Sequence, residues 1–367
     1  MSIHKLPTER ESRALAATAN VDVMLQQPMD CFIGNAVVRA RAVQGCDFDL
    51  FRLPVHRTLR WSIRRKVCDF FDDLALDAAF ASQRVHEGVV LLQAPGAFIY
   101  SNGYSKGSYA SCSFALWAES RARADEIQAR LELIAGEARM RDETFTLDWQ
   151  FTNAAGELRN TTFQELADPD LLDEAYPSLG VPVRDFTRRY LEAPECVLIL
   201  QGPPGTGKTR LVRAILAEIT RRKGENAEVM YTADQRALRS DAIFVEFITG
   251  SHDAFVIEDA DNLLRARASG NDEMHRFLAV ADGVARSQGR KVIFTTNLPN
   301  VNDIDDALVR PGRCHAVKNL RSLSPGEALR LADRICGEDT ARAQTARDAL
   351  TALALKSYSV AQVYRAA

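Results

Sequence analysis

No run of apolar residues in this 367-residue chain approaches the length of a membrane span. The N-terminus, Met1-Ser2-Ile3-His4-Lys5-Leu6-Pro7, leads into mixed charges and has no apolar core of the sort a secretory signal needs. C-x-x-C pairs are missing too. The seven cysteines, at positions 31, 46, 68, 112, 196, 314 and 336, are scattered, and their spacing offers no zinc site. Reduced, mostly buried thiols in a cytoplasmic protein are the expectation. Charge imbalance is small. A net charge of −3 exerts no global pull towards nucleic acid or an anionic membrane. An apolar share of 46% with 26% charged residues is ordinary for a globular protein, and the length suffices for two or three domains.

What is present centres on Gly202-Pro203-Pro204-Gly205-Thr206-Gly207-Lys208-Thr209. It follows the apolar run Val197-Leu198-Ile199-Leu200 and opens into a helical pattern with Leu211, Ile215 and Ile219 on one face. Strand, glycine-rich turn and helix form the context of a phosphate-binding P-loop. Glycines let the backbone wrap an anion without Cβ clashes. Successive N–H groups and the positive end of the following helix then face it. Lys208 is placed to reach the β- and γ-phosphates, and the Thr209 hydroxyl to ligate Mg²⁺.

A second apolar run, Ala254-Phe255-Val256-Ile257, ends in the carboxylates Glu258-Asp259-Ala260-Asp261. Mg²⁺ keeps several waters and takes few protein ligands, so one carboxylate at a strand end suits its shell. The other can orient or deprotonate an attacking water. Glu258 and Asp259 are assigned to these two tasks jointly.

Here the chain resembles the AAA ATPases, over roughly residues 186–367. Lys291-Val292-Ile293-Phe294-Thr295-Thr296-Asn297 is similar to the family's fourth strand with its sensor asparagine, Asn297. Ile304-Asp305-Asp306-Ala307-Leu308-Val309-Arg310-Pro311-Gly312-Arg313 resembles its arginine-finger segment, and Phe277 to Val284 its L-L-x-x-L-D-G stretch. The Glu-Asp order at 258–259, where most members carry Asp-Glu, looks closest to the mitochondrial Rieske-protein translocase branch. The resemblance implies a homo-oligomeric ring, a hexamer, in which Arg310 and Arg313 reach a neighbour's nucleotide while Asn297 positions water. It implies ATP and Mg²⁺ as cofactors, and hydrolysis that remodels or moves a protein partner. The rivals are a DNA-associated switch or loader, which the net charge disfavours, and a scaffold with slow hydrolysis.

The fold class expected is α/β: a P-loop domain, with a parallel sheet flanked by helices, plus a small helical lid, preceded by a separate mixed α+β domain. The boundaries expected are an arm at 1–27, a recognition or assembly domain at 28–152, a linker at 153–185, the nucleotide domain at 186–319 and the lid at 320–367. Thr8 to Glu11 has capping-box spacing in the arm. In the second region a helix is expected over Leu59 to Leu76, strands at Val89-Leu92 and Ser108-Trp117, a helix with Ala124, Ile127, Leu131 and Ile134 inward, and a half-buried strand at Phe145-Phe151. Gly103 to Tyr109 reads as a solvated hairpin, with a composition that would also suit recognition. Proline at 169, 177 and 182 marks the linker. In the lid, Ser324-Pro325-Gly326-Glu327 is a capping box and Ser357-Tyr358-Ser359-Val360-Ala361-Gln362 starts a last short helix. Tyr231 to Ala254 has Tyr231 and Phe247 but no aromatic–aliphatic–glycine triplet for a peptide-gripping pore loop. Arg265, Arg267 and Gly270 lie where a second pore loop would fall.

Overall fold

The computed structural model describes residues 53–141, 144–167, 171–265, 289–310 and 312–367. The capping-box pair in the arm, the Phe277–Val284 stretch, Arg267 and Gly270 lie outside the described residues. The chain divides into two units, Met1–Arg139 and Met140–Ala367.

The first unit is a sheet of β1 (Val55–Ile63), β2 (Ala81–His86), β3 (Val89–Ala94), β4 (Ala97–Lys106), β5 (Tyr109–Ala118) and the short β6 (Arg139–Met140), in the order β2-β3-β4-β5-β1-β6. Helices α1 (Val67–Leu76) and α2 (Arg121–Ala135) supply Phe70, Phe71, Leu74, Ile127 and Leu131 to the core against one face. The helix expected from Leu59 begins only at Val67. Leu59, Trp61 and Ile63 are two residues apart and sit on β1 opposite Phe114, Cys112 and Ala110, so the strand period wins over the helical one. Gly103 to Tyr109 is largely strand: Lys106 pairs with Tyr109 across a two-residue turn.

The second unit holds a seven-stranded sheet. Its strands are β7 (Thr144–Thr152), β8 (Leu158–Leu166), β9 (Val197–Gln201), β10 (Glu228–Thr232), β11 (Ala254–Ile257), β12 (Lys291–Thr296) and β13 (Cys314–Asn319), in the order β13-β9-β12-β11-β10-β7-β8. All are parallel neighbours except β8, which runs antiparallel to β7. The central strands read as unbroken apolar runs because both faces are covered. Leu198 and Leu200 face a core with α3 (Val183–Glu192) and α4 (Lys208–Lys223), while Val197 and Ile199 face one with α5 (Asp241–Thr249). A four-residue helix, α6 (Asp261–Leu264), follows β11. The lid helices α7 (Pro325–Cys336), α8 (Thr340–Leu353) and α9 (Val360–Ala366) bring Leu331, Leu350 and Val363 into the first of these cores. Capping boxes form at Ser324 with Glu327 and at Ser359 with Gln362.

The expected boundary near 152 is corrected to 139/140. β7 pairs in parallel with β10, Leu147 opposite Val229, and Phe145 is buried in the nucleotide unit's core. Nor is 153–185 a linker: it contains β8, and it buries Ala175, Tyr176, Leu179 and Val183 in the same core. Pro177 opens a short 3₁₀ turn and Pro182 is the N-cap of α3, both within the unit, while Pro169 lies outside the described residues. The strand at 144–152 is covered on both faces at its start, but further along its polar face is the more buried. Thr146, Asp148 and Gln150 are buried while Trp149 is 42% exposed. Asp148 is satisfied there by Gln150 Nε2 (3.1 Å), Asn160 Nδ2 (3.1 Å) and Thr162 Oγ1 (3.3 Å), with His252 Nε2 at 3.2 Å.

Candidate active site

β9 delivers the chain into the glycine-rich loop and α4 takes it away. The loop closes tightly enough that two glycines are required. A Cβ on Gly202 would lie 2.1 Å from the Leu320 carbonyl oxygen, and one on Gly207 2.7 Å from the Tyr176 hydroxyl. Gly207 is the N-cap of α4 at φ +90, a conformation open to glycine. The Tyr176 hydroxyl donates to its carbonyl at 3.0 Å, and Thr206 Oγ1 closes the turn on Pro203 O at 2.9 Å. On the lid side, Ala361 N donates to Gly205 O at 3.1 Å, and the Arg210 guanidinium lies 4.6 Å from the centre of the Tyr364 ring.

Lys208 is buried, and its ammonium donates to Gly202 O (2.6 Å), Pro203 O (3.2 Å) and Asn297 Oδ1 (2.9 Å). Burial lowers its pKa, with Asp259, Asp261 and Glu258 acting in the opposite direction. Thr209 Oγ1 donates to Glu258 Oε1 at 2.6 Å, and the Tyr231 hydroxyl to Glu258 Oε2 at 2.9 Å. The Tyr231 phenol is raised in pKa, first by burial and then by the Glu258 charge.

Asp259 is held differently. Its backbone is left-handed, φ +50, and its amide donates to Thr295 Oγ1 at 3.2 Å. Its carboxylate accepts from Asn297 Nδ2 at 3.0 Å. Asn297 is anchored in turn by Asp261, whose Oδ1 accepts from the Asn297 amide (2.8 Å) and from Thr296 Oγ1 (2.6 Å).

The residues expected to act together do converge. Pro204, Gly205, Gly207, Lys208, Thr209, Glu258, Asp259 and Asn297 line one cavity of about 600 Å³, closed on one side by Val360, Ala361 and Tyr364 of the lid. Arg310 and Arg313 do not line it. Arg310 is exposed, while Arg313 is half-buried and donates from Nη1 to Ala307 O at 2.7 Å. Phe247 is buried in the core beside Phe255, and Arg265 bridges to Ile304. Sequence reasoning missed Tyr176, Tyr231, Asp261 and Thr295. Asp261 stands in the acidic run itself, but its task depends on β12 lying beside β11, which no local pattern reports.

Residues 198–322 match the model of the ATPase family associated with various cellular activities. This is an AAA ATPase domain. The chain is similar to an ATP-dependent zinc metalloprotease FtsH 2 from Salinibacter ruber, 33% identical over 170 residues, 42% of this chain and 24% of the relative. FtsH 3 from Sorangium cellulosum is 31% identical over 217 residues, 56% of this chain and 32% of the relative. A YME1 homologue from Caenorhabditis elegans is 34% identical over 127 residues, 32% of this chain and 17% of the relative. The chain thus matches between about a sixth and a third of the length of these curated relatives.

An AAA domain implies ATP and Mg²⁺, and the donor set fits both. The glycine cradle has no room for a Cβ, the buried ammonium of Lys208 faces the loop, and Thr209 and Glu258 offer the hard oxygens that Mg²⁺ prefers. Among the described residues no helix is long and apolar enough to cross a membrane.

Proposed function

We propose that this protein is a ring-forming AAA motor that hydrolyses ATP to remodel or move a protein partner. The observation that carries the reading is the convergence of Lys208, Thr209, Glu258, Asp259 and Asn297 on one cavity beneath the lid. When bound, Mg·ATP supplies the transferable phosphoryl group and a compensating cation. Gly205, Thr206 and Gly207 would hold the phosphates through backbone N–H groups, and Lys208 would exchange its carbonyl partners for phosphate oxygens. Thr209 and Glu258 would hold the metal. Asp259, with Asn297 donating to it, orients the attacking water and accepts its proton.

Arg310 and Arg313 complete the site of a neighbouring subunit, Arg310 as the exposed reaching group and Arg313 bracing the turn on Ala307. A guanidinium supplied to the transferring phosphoryl group accelerates hydrolysis by about 10³–10⁵. A head-to-tail interface of this kind closes into a ring, for which we favour a hexamer. The protein substrate or adaptor is engaged through the N-terminal unit. The relatives' names attach zinc and proteolysis to those proteins, and neither is proposed for this chain.

ATP turnover measured against protein concentration, with sizing in ATP, tests the reading. Activity should rise cooperatively as the ring forms, and Arg310→Ala should assemble yet turn over at least about a hundredfold more slowly. A monomer that hydrolyses as well as the assembled protein, with Arg310→Ala unchanged, would overturn it.

A further inference from the structure

Position 258 carries the longer carboxylate. A glutamate has one more rotatable bond than an aspartate, so a single anchor leaves it free to swing. Here both of its oxygens are taken: Oε1 by Thr209 Oγ1 at 2.6 Å and Oε2 by the Tyr231 hydroxyl at 2.9 Å. The backbone sets up this pairing. Tyr231 on β10 lies opposite Val256 on β11, and Glu258, two residues beyond Val256, projects from the same face. The Glu258 amide is tied to Thr232 O at 3.0 Å, which fixes the stagger. A diagonal pair of this kind is bridged only by long side chains. An aspartate at 258 would be shorter by one carbon–carbon bond, about 1.5 Å, and would leave the tyrosine hydroxyl out of reach.

We propose that Tyr231 is a positioning residue of the nucleotide site, matched to Glu258, which presets that carboxylate for a divalent cation. The inference rests on the Mg·ATP reading of the site. Thr209 can ligate a cation through an oxygen lone pair while its O–H continues to donate to Glu258, so the two anchors are compatible with the loaded state. Behind Tyr231 the structure supplies a reporter. Trp149 pairs with Tyr231 across β7 and β10, edge to face at 6.4 Å. Both residues line a cavity of about 230 Å³ whose wall includes Thr209 and Glu258. The chain has three tryptophans, and the other two, Trp61 and Trp117, belong to the first unit. A change in emission lost in Trp149→Phe is therefore a signal from beside Tyr231.

The test uses the full chain with a non-hydrolysable ATP analogue and Mn²⁺ as the probe cation. Binding is followed by the Mn²⁺ paramagnetic signal and by Trp149 emission. Losing a hydrogen bond that orients a metal-side carboxylate costs about ten- to a hundredfold in metal affinity. Tyr231→Phe should raise the Mn²⁺ half-saturation about tenfold or more while leaving metal-free nucleotide binding within about twofold. In turnover it should lower kcat with KM for ATP unchanged. In a Glu258→Asp background the same Tyr231→Phe change should have no further effect, because the hydroxyl has no carboxylate to hold. The inference is overturned if Tyr231→Phe leaves Mn²⁺ affinity unaltered, or if its effect is equally large in the Glu258→Asp background, which marks a packing role. A wild type with no metal-dependent nucleotide binding sinks the Mg·ATP reading as well. Tight metal-dependent binding indifferent to Tyr231 removes this inference alone.

Discussion

Glu258 and Asp259 are consecutive and are held by opposite means. The glutamate is disciplined by side chains on either oxygen, Thr209 and Tyr231. The aspartate is disciplined by its backbone, at φ +50, and by Asn297. Left-handed backbone is costly for most residues and tolerated by Asp and Asn. Asp259→Asn therefore keeps the conformation and removes only the carboxylate proposed as proton acceptor. It should bind ATP with wild-type affinity and slow turnover by about 10²–10⁴, which calorimetric titration and a phosphate-release assay would separate. Retained turnover would exclude Asp259 as the acceptor. That the two acids stand together at the end of an apolar strand was legible in the sequence. The identity of the partners was not. Tyr231 donates across two strands, and a hydrogen bond between strands that are distant in sequence leaves no trace in either segment.

The elements were legible wherever one period dominated. The P-loop strand and helix, the strand before Glu258, α2 and the lid's capping box at Ser324 all follow from local spacing. β1 was misread because polar residues, Arg60 and Ser62, interrupt Leu59, Trp61 and Ile63 in a way that also fits a helix. β7 was assigned to the wrong sheet because partner choice is non-local. The capping box at Ser324 carries a pH prediction. Arg321 holds Glu327 at both oxygens, 2.8 Å each, and the glutamate's pKa falls from its ordinary 4.5 to about 2, the Arg321 hydrogen bonds being the main cause. A carboxylate depressed in the folded state contributes stability above its unfolded pKa and loses it as pH falls through its folded pKa. The contribution should therefore be whole above about pH 4.5 and gone near pH 2. With Arg321 half-exposed and screened, it is about 1 kcal/mol. Wild type and Glu327→Gln should differ by that amount in chemical denaturation at neutral pH and converge in this window. A constant difference across it would show that the charge on Glu327 contributes nothing.

The whole molecule has separate cores, and their separateness is testable. Phe114 is fully buried in the first unit and Phe145 in the second. Each truncation to alanine should cost about 3–5 kcal/mol. Phe114→Ala should lower the melting of the first unit and leave nucleotide affinity unchanged, whereas Phe145→Ala should weaken nucleotide binding on heating. If Phe114→Ala weakens nucleotide binding at a temperature where both units are folded, the cores are not independent. The strand order also sets a timetable. The hairpins β2-β3, β3-β4 and β4-β5 join neighbours in the chain and can pair as soon as they exist. β9, which carries the P-loop, must wait: Val197 is paired with Val292 on one side and Cys314 on the other. Until β12 and β13 have been synthesised, the glycine-rich loop hangs from a strand with neither neighbour in place. Distant pairing of this kind is slow and leaves apolar edges uncovered meanwhile. The first unit's hairpins can thus be paired while its companion is still a nascent chain, open to chaperones and unable to bind the ligand that would stabilise it.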